Sequence, residues 1–121
     1  MKFKESKSIY LQIADRICDE ILQGQYKEEE RIPSVREYAA TVEVNANTVV
    51  RSFDYLQGQD IIYNKRGLGY FVALEGRERI LELRKEVFLR DELPEFFRQL
   101  KTLDIPMKDV EKMYNEYLKE D

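Results

Sequence analysis

Asn47, Thr48 and Arg51 stand close together in the chain and carry the side-chain edges that can read a base pair. An asparagine amide pairs with adenine N6 and N7, an arginine guanidinium with guanine O6 and N7, and threonine can meet a thymine methyl or a phosphate. Two further cations, Lys65 and Arg66, lie in the segment Asn64-Lys-Arg-Gly-Leu-Gly69 and would suit a phosphate backbone. The groups that catalysis would need are missing. The chain has no histidine, so it lacks the usual general base and the commonest metal ligand. Its single cysteine, Cys18, has no partner for an internal disulfide and no base in the sequence to activate it. The glycines form neither G-x-x-x-x-G-K-[ST] nor G-x-G-x-x-G. No enzyme activity, cofactor or metal is therefore expected.

The elements that would position Asn47 and Arg51 follow from periodicity. Val49, Phe53 and Leu56 recur at i, i+4 and i+7, which predicts a helix after Asn45, itself an N-cap residue. On a projection centred on Val49, Asn47 falls at about 160° and Arg51 at about 200°, opposite the buried face, with Thr48 on one shoulder. Upstream, Ser34 and Glu37 have the spacing of a capping box, opening a short helix to about Val42. Two short helices across a tight turn make a helix-turn-helix candidate. Downstream, Ile61-Ile62-Tyr63 and Tyr70-Phe71-Val72 flank the Lys65-Arg66 segment as the strands of a hairpin, a wing. Before all of these, Ser8 and Gly24 bracket a helix whose apolar face is Tyr10, Ile13, Ala14, Ile17 and Ile21, with Cys18 a small core side chain beside it.

At 121 residues and 14.5 kDa the chain suits one domain with an appendage. It is 43% hydrophobic and 36% charged, the composition of a soluble globular protein. The net charge of −4 argues at first sight against nucleic acid. The distribution changes that reading, because residues 31–72 hold five basic side chains against four acidic ones. Any DNA-binding surface must be local. Met1-Lys2-Phe3-Lys4-Glu5 leads into no apolar run of signal-peptide length, and no later run reaches the ~18 residues of a membrane span, so cytoplasm is the expected location.

Together these residues carry a specific resemblance. Ile9-Tyr10-x-Gln12-Ile13, Gly24-x-Tyr26, Arg31-Ile32-Pro33-Ser34-Val35-Arg36-Glu37-x-Ala39, Val44-Asn45-x-Asn47-Thr48-Val49-x-Arg51 and Gly67-x-Gly69-Tyr70-Phe71-Val72 occur in the order of the DNA-binding domain of the GntR family of bacterial transcription regulators. The short remainder, with Leu93-Pro94-Glu95-Phe96, resembles the YtrA-type subfamily. The resemblance implies that Arg36 contacts phosphate, that Asn45, Asn47, Thr48 and Arg51 approach the major groove, and that Lys65, Arg66 and Gly67 follow the backbone or enter the minor groove. Glu29 and Glu43 depart from the pattern, standing where the family usually has glycine, the second in the helix-turn-helix turn. A glutamate held at positive φ costs about 1 kcal/mol.

Beyond the wing, Ile80, Leu83 and Val87, then Phe96, Phe97, Leu100 and Leu103, and finally Val110, Met113, Tyr114, Tyr117 and Leu118 recur at helical spacing. Pro94 is expected to kink or split the first of these helices. Helices this short enclose little core, so their apolar faces need either the winged domain or a second copy of the chain, and the second copy is the expected cover for Leu83, Val87, Phe96, Phe97, Leu100 and Tyr114. The expected fold is mainly α with a small β-hairpin: a winged helix-turn-helix over residues 8–74 and a helical dimerisation tail over 75–121. The expected function is a homodimeric, sequence-specific DNA-binding regulator, a repressor on a palindromic operator. The alternative is a winged helix serving as a protein-interaction module. No effector ligand is assigned.

Overall fold

The computed structural model describes residues 7–120, and Met1–Glu5, where a signal segment would begin, lies outside them. The chain forms two compact units, 1–82 and 83–121.

In the first unit, helix α1 (Ile9–Leu22) buries Ile13, Ala14, Ile17, Cys18 and Ile21 along one face. Ser8 stands at its N-cap, but its hydroxyl makes no capping bond. The Gln12 side chain donates to the carbonyl of Lys7, just before the helix, at 2.7 Å. Helix α2 (Val35–Val42) starts in the expected capping box: the Ser34 hydroxyl accepts from the Glu37 N–H at 3.1 Å, and the Glu37 carboxylate accepts from the Ser34 N–H at 2.9 Å. The Ser34 N–H, and after it the Ser34 hydroxyl, hold the Glu37 carboxyl below its ordinary pKa. Glu43 ends α2 at φ 57° and ψ 49°, the left-handed turn that leads into helix α3 (Ala46–Gly58).

Phe53, at the centre of α3, is fully buried and meets Tyr70 edge to face at 4.9 Å between ring centroids and Tyr38 at 6.4 Å. The side chains of Val49, Leu56, Ile32, Ile62 and Val72 complete this core. Burying an aromatic of this size contributes on the order of 3 kcal/mol.

Strands β1 (Ile62–Lys65) and β2 (Gly69–Val72) pair antiparallel, with Tyr63 opposite Phe71 and Lys65 opposite Gly69. The ladder runs further toward the tip than the β-branched residues predict. Gly67 takes φ 81°, and the Leu68 N–H donates to the Lys65 carbonyl at 2.9 Å, so the turn closes on three residues and Lys65 becomes part of β1. On the outer edge of β2 the loop before α2 adds a partner: Glu29 N–H donates to Val72, Val72 N–H to Glu30, and Ile32 N–H to Tyr70, all within 2.8–2.9 Å.

Helix α4 (Gly76–Val87) begins in the first unit, where Ile80 is 1% exposed. Its first residue must be glycine, because a Cβ on Gly76 would lie 2.7 Å from the Ile61 carbonyl oxygen.

In the second unit a π-helical turn (Phe88–Glu92) leads into α5 (Leu93–Thr102), and α6 (Met107–Lys119) follows. Pro94 neither breaks the helix nor ends it. A proline has no N–H and its ring crowds the carbonyl four residues back, and the chain widens to an i→i+5 bond from the Leu93 N–H to the Phe88 carbonyl just before it. Neither α5 nor α6 has a buried residue. Among the described residues no helix is long and apolar enough to cross a membrane.

Candidate nucleic-acid interface

The polar residues of α3 emerge where the projection puts them. Asn47 and Arg51 are exposed, Thr48 is half-buried, and Val49 and Phe53 are buried on the opposite side. Asn45 sits at the N-cap, and its side-chain oxygen accepts from the Asn47 N–H at 2.7 Å. That bond commits the oxygen to starting the helix and leaves the amide nitrogen as its outward donor. Arg36 is exposed on α2, in the first turn of the helix behind the capping box.

The wing carries Lys65, Arg66 and Gly67, all exposed. Lys65 is supported from below: its Nζ lies 4.6 Å from the Phe71 ring centroid and 5.8 Å from that of Tyr63, and the two rings stack at 5.8 Å. The Tyr63 hydroxyl donates to the Glu29 carboxylate at 2.8 Å, a bond that raises its pKa. The strand surface thus holds one cation at a fixed height while Arg66 extends from the turn.

Arg31 is a positioning residue that nothing in the sequence singles out beyond its place in a motif. Its Nε donates to the Leu68 carbonyl in the wing turn at 3.1 Å, and its guanidinium lies 3.9 Å from the Glu37 carboxylate at the start of α2. One side chain therefore links the wing turn to the first helix of the helix-turn-helix. The fit is close, since a Cβ on Gly69 would sit 2.9 Å from the Arg31 Nε.

Glu43 places a carboxylate in the turn between α2 and α3, and its left-handed φ is the conformation that favours glycine. Glu29, at φ 68°, does the same in the loop before the wing edge. The interface is thus a set of cations and amides interrupted by acids, in keeping with the near balance of charge over residues 31–72. Among the described residues no group of three or more acidic or cysteine side chains could hold a metal ion.

The family profile of bacterial regulatory proteins, gntR family, matches residues 9–72. The HTH-type transcriptional regulator YhcF of Bacillus subtilis is 36% identical over 109 residues, spanning 90% of this chain and 88% of that protein. The HTH-type transcriptional repressor YtrA of the same organism is 32% identical over 79 residues, 65% of this chain and 61% of its own. A crystal structure of a GntR-family regulator from Bacteroides thetaiotaomicron is 62% identical and superposes with a TM-score of 0.84, covering 93% of this chain and 98% of that one. The capped helices, left-handed turn and paired wing lie within the matched segment, and the chain belongs to the GntR family of transcriptional regulators, with a winged helix-turn-helix DNA-binding fold.

Proposed function

We propose that this protein is a transcriptional repressor that binds a palindromic operator as a homodimer. The observation that carries the reading is the outward face of α3, where Asn47 and Arg51 stand exposed in the same compact unit as the wing cations Lys65 and Arg66. Asn47, Arg51 and Thr48 read base edges from the major groove, with the Asn45 amide nitrogen beside them. Arg36, Lys65 and Arg66 neutralise phosphates, and Gly67 lets the wing backbone approach the duplex. Residues 8–74 read the DNA and residues 75–121 pair two copies. Repression is favoured by the likeness to YtrA, which is named a repressor.

Selection of binding sequences from random duplexes tests this. A palindrome should be enriched, its half-sites about 34 Å or a multiple apart along the helix, and binding should weaken steeply with salt. Binding with no enriched sequence, or with no salt dependence, would refute it.

A further inference from the structure

Arg51 does not lie loose on the helix surface. Its ζ carbon is 4.1 Å from the centroid of the Tyr10 ring, the separation of a guanidinium lying on an aromatic face. Tyr10 belongs to the first turn of α1, and its placement is fixed by a second contact from α3. The buried Ser52 hydroxyl donates to the Tyr10 carbonyl oxygen at 2.6 Å. Two consecutive residues of α3 therefore grip the ring and the backbone of one residue of α1. Among the described residues the Arg51 side chain makes no hydrogen bond or ion pair. The ring lies against the guanidinium on one side, and none of the guanidinium N–H donors is taken.

We propose that Tyr10 is a positioning residue for base reading, holding the Arg51 guanidinium so that its donor edge is presented to the groove. The inference rests on the reading of Arg51 as a base-contacting residue. A guanidinium contacts guanine O6 and N7 through two N–H groups in its own plane, so an aromatic surface on its face restricts the plane without occupying a donor. An arginine already held there gives up less side-chain freedom on docking, and more of the edge contact appears as affinity. The tyrosine hydroxyl has no part in this; the ring face has all of it.

The test uses the full-length protein and the duplex recovered by selection. Arg51→Ala first identifies the base pair whose discrimination depends on the guanidinium. At that pair Tyr10→Leu, which fills space without a π face, should lower the preference for the correct base roughly 3- to 10-fold, leave preferences at other pairs unchanged, and add nothing in the Arg51→Ala background. Tyr10→Phe should match the wild type. If Tyr10→Leu does not fold, Tyr10→Met replaces it. Equal losses at every base pair, or the same loss with and without Arg51, would show that Tyr10 only supports the fold. Arg51→Ala with unaltered discrimination would overturn the Arg51 reading and the role of Tyr10 with it. A loss in Arg51→Ala with none in Tyr10→Leu or Tyr10→Met would overturn Tyr10 alone.

Discussion

The Glu29 carboxylate accepts a 2.8 Å hydrogen bond from the Tyr63 hydroxyl, tying the loop before α2 to the first strand of the wing. Glu29 holds φ 68° to do so, a conformation that costs a non-glycine residue about 1 kcal/mol. Strain and hydrogen bond therefore oppose each other at one position. Glu29→Gly should relieve the strain and lose the bond, so its stability should stay close to wild type. Glu29→Ala loses the bond and keeps the strain, and should lie about 1 kcal/mol below Glu29→Gly. Urea unfolding distinguishes them, and coincident midpoints for the two variants would contradict strain at this site.

Glu43 has the same backbone problem at φ 57° in the helix-turn-helix turn, where its N–H donates to the Ala39 carbonyl. Here Glu43→Gly should raise stability by about 1 kcal/mol. It should also strengthen binding to duplexes of any sequence, because the proposed docking brings this carboxylate near the phosphates and the substitution removes it. A lower melting temperature, or unchanged affinity for a scrambled duplex, would count against the two halves of this argument respectively.

The helix-turn-helix was legible because its signals are local. Val49, Phe53 and Leu56 define a buried face by spacing alone, and the Ser34 and Glu37 capping box is complete in the structure. The positive φ of Glu43 was legible from its place in the glycine pattern, and Glu29, at another usual glycine position, takes the same conformation. What escaped depends on side chains meeting across the fold. Arg31 reaches Leu68 and Arg51 lies on Tyr10, pairings that no periodicity encodes. Tyr10 in particular reads as one more apolar position of α1. The extra pairing of residues 29–32 along β2 was hidden for a related reason: Glu29-Glu30-Arg31 has no strand character, and backbone bonds alone create the edge. The π turn before Pro94 was half legible, since a proline announces disturbance but not the form it takes.

Arg51→Ala and Asn47→Ala should each weaken binding to the selected operator by about 1 to 3 kcal/mol and leave binding to scrambled duplex nearly intact. Arg36→Ala, Lys65→Ala and Arg66→Ala should weaken binding to both duplexes alike and make the log-log salt slope shallower by about one for each phosphate no longer neutralised. Competition binding across a salt series measures both. Equal losses on both duplexes would take Arg51 and Asn47 off the base edges, and an unchanged slope would take the other three off the phosphates.

The capping box gives stability a defined pH dependence. The Glu37 carboxyl is held below its ordinary pKa by the Ser34 N–H and hydroxyl, with Arg31 assisting. A depressed folded pKa means that the stabilisation is complete above the unfolded value near about 4.3 and is lost as pH falls through the lower folded value. The melting-temperature gap between wild type and Glu37→Gln should therefore be widest near neutral pH and close on acidification. A gap that is constant or that widens in acid would rule this origin out.

The proposed pairing of two chains through the tail would account for how little of its apolar surface is covered. Phe96 is 40% exposed, Phe97 46% and Tyr114 60%, Val87 is exposed, and Leu83 and Leu100 are half-buried. One reading helix contacts too few base pairs to discriminate against a genome of competing sites, whereas two related by a two-fold axis roughly double the specific contact energy. A dimer through these helices should bury more than about 1,000 Å². The position of the cut matters to the test. Ending the chain at residue 75 would remove Gly76 and Ile80, both buried in the first unit, so the informative truncation ends at Glu82. That fragment should sediment as a folded monomer and bind operator weakly, the full chain should sediment as a dimer at micromolar concentration, and Phe97→Glu in the full chain should dissociate it. A fragment that still dimerises, or a monomeric full-length protein, would assign the tail another role.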